Sequence, residues 1–179
     1  MSNEQQSIQK IAVVGPESTG KSTMAMYLSK ELNTICVPEY ARYYCQHLNR
    51  RYTLQDEVNM FYGQVALEEA IISTEPKIIV CDTTILTVKI WCDYLFTQTP
   101  KEVTSEITNR KYDFYLLMDI DLAWQDDPLR DFPNEREYFL QIWKKELEEL
   151  GANYQVINGQ GNDRLKHGLD AVKTHLHIK

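Results

Sequence analysis

The chain has few cysteines and few positive charges relative to acidic ones, and both features exclude classes of protein. Its 179 residues include four cysteines, and no two of them show the C-x-x-C spacing of a zinc or redox site. The formal net charge is -7, so the overall field repels the phosphates of nucleic acids and of membrane surfaces. We therefore expect no disulfide framework and no zinc site, and neither a nucleic acid nor a membrane as a partner.

Long apolar runs, repeats and low-complexity tracts are also missing. No run reaches the roughly 20 residues that cross a bilayer, and the polar first ten residues lack the apolar core of a signal segment. The length suits one domain over residues 1–179. We expect this domain to be cytoplasmic, and the sequence leaves its oligomeric state open.

What the chain does contain is an alternation of short apolar runs and helix-like periodicity. Strands are predicted at residues 10–14, 34–37, 77–81, 112–118 and 154–157. Helices are predicted at residues 21–32, 56–73, 86–96, 134–150 and 163–175. Strands joined by helices form a parallel sheet with helices on both faces. The predicted fold class is therefore α/β, a five-stranded parallel sheet flanked by helices, with ligands beyond the carboxyl ends of the strands.

The clearest motif is G-x-x-x-x-G-K-S at residues 15–22, between the first strand and the first helix. This strand–loop–helix context is typical of a phosphate-binding loop, whose backbone N–H groups surround a phosphate. Lys21 carries positive charge to the β- and γ-phosphates, and the Ser22 hydroxyl is a Mg²⁺ ligand. The motif predicts the three-layer P-loop NTPase fold with ATP and Mg²⁺ as cofactors, although GTP stays open. The predicted nucleotide-binding residues are Gly15, Glu17, Ser18, Thr19, Gly20, Lys21, Ser22 and Thr23.

Carboxylates follow the second and third predicted strands. Asp82 ends the third strand, where a carboxylate can bind Mg²⁺, act as a base or cap the next helix. Glu39 follows the second strand and is a candidate base that accepts the proton of an alcohol. The sequence does not decide between Glu39 and Asp82 as the base. Arg42, one helical turn beyond Glu39, can pair with it, bind a phosphate or form a surface ion pair.

A long polar segment at residues 119–136 is interrupted by Pro128 and Pro133. Long loops of this composition are typical of lids. Arg130 and Arg136 are candidates for stabilising the charge on a transferring phosphoryl group; the alternative is a solvated loop with surface ion pairs. Aromatic residues mostly pack, but three are candidate contacts to a planar substrate ring: Tyr40, Trp91 and Trp124.

Four stretches occur in an order and spacing that resemble one family. They are residues 15–22, Pro38-Glu39-Tyr40-Ala41-Arg42, Cys81-Asp82-Thr83 and Trp124-Gln125-Asp126-Asp127-Pro128-Leu129-Arg130. Over essentially its whole length the chain resembles the ribosylnicotinamide kinase domain of NadR-type proteins. The resemblance implies a P-loop kinase of the nucleoside and nucleotide kinase type. It implies transfer of the ATP γ-phosphate to the 5′-hydroxyl of nicotinamide riboside, giving nicotinamide mononucleotide.

Together with the loop motif and the strand-end positions, the resemblance predicts a role for each of the following residues. Catalytic roles fall to Lys21, Glu39, Asp82, Arg130 and Arg136. Substrate contacts fall to Glu39, Tyr40, Arg42, Asp82, Trp91, Trp124 and Asp127. Mg²⁺ ligands are Ser22 and Asp82.

Two positions depart from the family pattern. Thr84 stands where the family has a second Asp, and Pro128 stands where multidomain members tend to have Gly. Proline stiffens the predicted lid because it restricts φ. Two other functions stay open: a kinase for another nucleoside or a nucleoside monophosphate, and a nucleotide-binding regulatory switch with weak hydrolysis.

Overall fold

The structure is a computed structural model that describes residues 7–177. Residues 1–6, most of the stretch expected to lack a signal segment, lie outside it, as do residues 178–179. The strands in this range are β1 (Gln9–Val14), β2 (Ile35–Val37), β3 (Ile78–Asp82), β4 (Phe114–Met118) and β5 (Tyr154–Ile157). Its helices are α1 (Lys21–Glu31), α2 (Tyr40–Gln46), α3 (Leu54–Ile72), α4 (Leu86–Phe96), α5 (Lys101–Asn109), α6 (Arg136–Glu149) and α7 (Gly161–Leu176). None of these described helices combines the length and the apolar character that a membrane span needs.

All five strands are parallel and form one sheet in the order β2-β3-β1-β4-β5. Successive residues of the central strand β1 face opposite layers. Ile11 and Val13 pack with residues of α1 and α7, whereas Ala12 and Val14 pack with residues of α4, α5 and α6. The predicted α/β fold, a parallel sheet between two helical layers, is confirmed.

Two helices were missed or only suspected from the sequence, and the other elements end within two residues of the predicted bounds. α2 was considered only as a possible turn around Arg42. α5 was not predicted. Its buried residues are Val103 and Ile107, and its threonines and serine are weak helix formers. This helix forms because these two apolar side chains pack against the core, and its local helix propensity alone would not predict it.

The register of the central strands brings three chain segments to one edge of the sheet. Val13 lies opposite Asp82 in β3, and Val14 lies opposite Leu117 in β4. The backbone N–H of Thr83 donates to the carbonyl of Val13 at 2.9 Å. The residues that follow β1, β3 and β4 therefore meet at the carboxyl ends of the strands, where ligands bind in such sheets.

Candidate functional site

The loop between β1 and α1 folds tightly over the end of the sheet. Gly15 has a φ of +135°, and a Cβ on it would lie 2.9 Å from the carbonyl oxygen of Met118 in β4. Both facts require glycine at this position. Lys21 Nζ and Thr19 Oγ1 each donate to the Pro16 carbonyl at 2.8 Å. These contacts hold the lysine ammonium over the loop, at the place where a phosphate chain binds in loops of this type.

Two carboxylates lie within electrostatic reach of Lys21. Asp82, at the end of β3, is 5 % exposed. Burial raises the pKa of the Asp82 carboxyl, while the Ser22 hydroxyl and the charges of Lys21 and Arg42 oppose the shift. Burial also raises the pKa of Glu39, against the charge of Lys21 and together with that of Asp82. The structure thus brings together two predicted acids that are far apart in sequence. The charge of Lys21, the predicted cation, acts on both carboxyl groups.

Glu39 is held by α3 rather than by its own helix. It is the N-cap residue of α2, but its side chain makes no capping hydrogen bond. Instead the Gln64 amide bridges the residues on either side: its oxygen accepts from the Tyr40 N–H at 2.8 Å, and its nitrogen donates to the Pro38 carbonyl at 3.3 Å. Gln64 is 4 % exposed. The Glu39 side chain takes no part in this clamp, and the charge of Lys21 acts on its carboxyl. No sequence motif pointed to Gln64.

The donors at the sheet edge fit a Mg²⁺ ion that a nucleotide helps to bind. Asp82 Oδ1 is buried and has no hydrogen-bond partner within residues 7–177, as expected of an oxygen that awaits a cation. Ser22 lies in the first turn of α1. Among the described residues no group of three or more His, Cys, Asp and Glu side chains could hold a metal alone. Mg²⁺ usually keeps several waters and binds substrate phosphates in addition to one or two protein ligands. Ser22 and Asp82 would therefore be enough protein ligands for such an ion.

The 119–136 segment lies against the phosphate-binding loop at Ser18. The Ser18 hydroxyl accepts from the Gln125 N–H at 2.8 Å and from Arg130 Nη1 at 3.4 Å. Arg136 Nη1 donates to the Ser18 carbonyl at 3.4 Å and to the Leu122 carbonyl at 2.8 Å. Both predicted arginines are therefore at the phosphate-binding loop.

A second contact joins the same two segments through Glu17. Its carboxylate accepts from the backbone N–H groups of Asp131 and Phe132 at 3.2 and 3.5 Å. Burial raises the pKa of Glu17, and these hydrogen bonds together with the charge of Lys21 oppose the shift. The loop and the segment thus close one side of the site together.

An ion pair links α2 to the 119–136 segment. Arg42 Nη2 lies 2.5 Å from Asp127 Oδ2, with the arginine side chain 44 % exposed and the aspartate 15 %. The hydrogen bond from Arg42 lowers the pKa of Asp127. An ion pair this exposed contributes little stability, so its effect is mainly on the position of the segment.

A cavity of about 1040 Å³ opens between the phosphate-binding loop, α2, α3, α4 and the 119–136 segment. Of the predicted substrate and catalytic residues, its wall includes Lys21, Glu39, Arg42, Trp91 and Arg130. The Trp91 ring lies 5.6 Å from Phe132 and 5.1 Å from Phe139, centroid to centroid. This aromatic wall suits a planar ring, since aromatic pairs favour such separations.

Other predicted contacts lie outside the cavity wall: Tyr40, Asp82, Trp124, Asp127 and Arg136. The Tyr40 ring packs on Gly63, where an added Cβ would lie 2.0 Å from it. The Trp124 indole donates to Asp126 at 2.9 Å and lies 5.8 Å from the Arg136 guanidinium. In this arrangement both aromatic residues pack on protein rather than facing the cavity.

Sequence reasoning missed two buried charged residues of the site. Arg164 of α7 is 4 % exposed. It pairs with Asp121 and donates to the carbonyls of Thr19 at 3.1 Å and Asp119 at 2.8 Å, so it joins β4 and α7 to the phosphate-binding loop. Glu57 of α3 is 2 % exposed and lines the cavity. For Glu57 the available signal was the Thr53-x-x-Asp56 capping box, which marks this turn as the start of a helix.

Thr84, the position where the family pattern has a second Asp, lies in the cavity wall. Its hydroxyl accepts from the N–H of Leu86 at 3.3 Å. The threonine therefore helps to start α4, and it adds no charge to this wall.

Comparison with known proteins agrees with the motifs and the fold. A family described as an AAA domain matches residues 10–164. The trifunctional NAD biosynthesis/regulator protein NadR of Escherichia coli (strain K12) is 25% identical over 167 residues, which cover 87% of this chain and 40% of that protein. A crystal structure of NadR in complex with NR superposes with a TM-score of 0.78 at 21% identity, covering 96% of this chain and 52% of that one. A crystal structure of NadR with NAD and AMP-PNP gives a TM-score of 0.74 at 23% identity, covering 96% and 50%.

The chain spans about two fifths of the curated relative and about half of each solved chain. The matched family covers most of the chain, including the phosphate-binding loop, both carboxylates and Arg164. The chain belongs to this AAA domain family of P-loop proteins, and the resemblance to NadR-type proteins predicted from its motifs is confirmed.

Proposed function

We propose that the chain is an ATP-dependent kinase that phosphorylates the 5′-hydroxyl of nicotinamide riboside. One observation carries the proposal: Lys21, Glu39 and Arg130 line one end of a cavity whose wall also contains the aromatic Trp91 and Phe132. A phosphate site and a site for a planar ring in one cavity are what transfer from ATP to a nucleoside needs. The NadR relative is named for NAD biosynthesis, and a related structure contains NR.

At the phosphate end, the backbone amides of residues 15–22 and the Lys21 ammonium bind the triphosphate. Lys21 donates to the Pro16 carbonyl in the structure described here, and a bound β- or γ-phosphate takes over that hydrogen bond. Ser22 and Asp82 hold Mg²⁺, which when bound neutralises charge on the phosphates.

The cavity geometry supports a division of labour between the two acids. Glu39 lines the cavity, whereas Asp82 is not part of its wall and lies beside the Ser22 hydroxyl, whose hydrogen bond opposes the burial-raised pKa of Asp82. We therefore assign Glu39 as the base. The acceptor oxygen attacks the γ-phosphorus, its proton passes to the Glu39 carboxylate, and the bond from the γ-phosphorus to the ADP oxygen breaks.

The 119–136 segment acts as a lid in this proposal. Arg130 and Arg136 both contact Ser18 of the phosphate-binding loop, and guanidinium groups there stabilise the charge on the transferring phosphoryl group. Closure of the segment also excludes water, which would otherwise compete with the acceptor.

The test is incubation of the protein with Mg-ATP and nicotinamide riboside, with nicotinamide mononucleotide detected by mass spectrometry. A panel of cytidine, uridine, adenosine and thymidine monophosphate measures kcat/KM for competing acceptors. We expect nicotinamide riboside to give the highest value. Protein that binds ATP but yields no mononucleotide would overturn the proposal, and a higher kcat/KM for a panel member would reassign the acceptor.

A further inference from the structure

Glu57 is a buried acidic residue whose carboxylate accepts no side-chain hydrogen bond from the described part of the chain. It lies in the first turn of α3, is 2 % exposed and forms part of the cavity wall. Its neighbour Asp56 is equally buried but accepts hydrogen bonds from Arg50, Thr53 and Tyr44. Within residues 7–177 no side chain donates a comparable hydrogen bond to the Glu57 carboxylate. The fully buried side-chain oxygen that lacks a partner among these residues is Asp82 Oδ1 rather than one of Glu57, so the Glu57 carboxylate opens into the cavity, where a ligand can reach it.

Within residues 7–177, the charge that acts on the Glu57 carboxyl is that of Asp56, which has the same sign. The groups within electrostatic reach of Glu57 are Cys45 of α2, Tyr52 before α3, Cys92 of α4 and Asp56 on its own helix. Arg50 pairs with Asp56. Burial, with a smaller effect of the Asp56 charge, raises the pKa of Glu57 to about 8. This end of the cavity therefore destabilises a negative charge unless a ligand compensates it.

Cys45 lies within electrostatic reach of both Glu39 and Glu57, and all three residues line the same cavity. The charges of both Glu57 and Glu39 act on its thiol, and its sulfur lies 3.6 Å from that of Met60. In the proposed function, an acceptor with its hydroxyl at Glu39 therefore shares one cavity with Glu57, whose wall also contains sulfur-containing and aromatic side chains.

We infer that Glu57 is a specificity-determining residue that selects acceptors whose planar ring carries a positive charge. The inference rests on the proposed function for the position of the acceptor. A cationic ring supplies the counter-charge that the protein lacks. A neutral ring leaves the buried carboxylate either unpaired or protonated, and an unpaired buried charge disfavours the wrong ligand.

This role predicts that binding releases a proton. At neutral pH the carboxyl of the free protein is mostly protonated, and a cation favours its ionised form, so affinity for the cationic ring rises as pH increases toward about 8. A neutral ring gains nothing from this ionisation. The pKa of Cys45 is raised to about 11 and that of Cys92 to about 12. The pKa of Tyr52 is also raised, and the pKa of Asp56 is lowered. None of these four groups titrates between pH 6 and 9 with Glu57.

The experiment compares nicotinamide riboside with its reduced, uncharged dihydropyridine form, which keeps the carboxamide and the ribose. Dissociation constants are measured by calorimetry from pH 6 to 9, and kcat/KM is measured for both acceptors, with wild type and Glu57→Gln. For wild type at pH 8 we expect the cationic ring to be favoured by about tenfold or more, because a nearby opposite charge shifts a carboxyl pKa by about 1–3 units. Glu57→Gln should remove this preference and its pH dependence while the neutral ring loses less than about threefold.

The exposed Glu102→Gln on α5 is the matched control, and it should behave as wild type. Thermal unfolding shows whether Glu57→Gln is folded. Equal losses for both rings, or an unchanged preference, would overturn the role of Glu57 while leaving the kinase proposal intact. If wild type phosphorylates neither ring, the kinase proposal fails, and calorimetry decides the inference separately: equal binding of the two rings overturns it.

Discussion

At the phosphate-loop end of the cavity, charges of opposite sign lie close together, whereas at the Glu57 end the carboxylate lies near two thiols, a phenol and the like-charged Asp56. Burial raises the pKa of Glu39, and the charges of Lys21 and Arg42 oppose this shift. Burial also raises the pKa of Glu17, and the charge of Lys21 opposes it. Among the residues that the structure describes, no cation opposes the raised pKa of Glu57. A phosphate chain with Mg²⁺ balances the first end in any P-loop kinase. In our proposal, the second end is where this chain selects its acceptor.

Glu39→Gln should give the largest loss, because it removes the proposed proton acceptor from the reacting end. We expect kcat/KM for the acceptor to fall by about 10²–10⁴ with ATP affinity retained. Burial raises the pKa of Glu39 above its ordinary 4.5, so wild-type kcat/KM should rise with pH above that value as the base ionises. Steady-state kinetics across pH and nucleotide binding measure both effects.

A variant of the second acid, compared with Glu39→Gln, shows whether the two acids of this end differ in role. Asp82→Asn should raise the Mg²⁺ concentration for half-maximal rate by about tenfold or more, while Glu39→Gln leaves it unchanged. The exposed Glu31→Gln serves as control. A Mg²⁺ titration that responds to Glu39→Gln and not to Asp82→Asn would reverse our assignment.

Lys21→Ala tests the phosphate end itself. Loss of a charged clamp on the transferring group should cost about 3 kcal/mol of transition-state stabilisation, or about 10²-fold in kcat/KM. The loss should be the same for every acceptor, in contrast to Glu57→Gln. Lys30→Ala, at the exposed end of the same helix, is the matched control. An acceptor-dependent effect of Lys21→Ala would remove the distinction between the two ends.

Arg130→Ala should have a smaller effect, because Arg136 contacts Ser18 as well. We expect kcat to fall by about tenfold, less than the about 10²–10³ of a sole charge-stabilising donor, with ATP affinity nearly unchanged. The double variant Arg130→Ala/Arg136→Ala should lose more than the product of the single effects. An unaltered kcat in both single variants and in the double variant would exclude the lid role.

Arg42→Ala should give the smallest effect. The Arg42–Asp127 pair is exposed on the arginine side, so we expect a change in the free energy of unfolding within about 0.5 kcal/mol. Chemical denaturation measures it, with Asp127→Asn as the partner variant. A loss in kcat/KM as large as that of Lys21→Ala would show instead that Arg42 binds a phosphate.

The sequence predicted the elements of the fold well and the site unevenly, for a physical reason visible in particular residues. Residues 15–22 form a local structure, so their motif alone located the phosphate end. Glu39 and Asp82 were located because polar residues after parallel strands must meet at one edge. Tyr40 and Trp124 had the same placement, but which way a ring turns depends on packing partners such as Gly63 and Arg136.

By itself the sequence determined the parallel α/β sheet and its phosphate-binding loop, because hydrophobic periodicity and glycine placement act over a few residues. Only the tertiary structure decided which residues line the proposed acceptor end of the cavity. α2, α3, α4 and the 119–136 segment contribute to one cavity wall, and Gln64 and Glu57 acquire their roles from what lies beside them. Burial and partnership are properties of contacts between distant segments, and no local pattern encodes them.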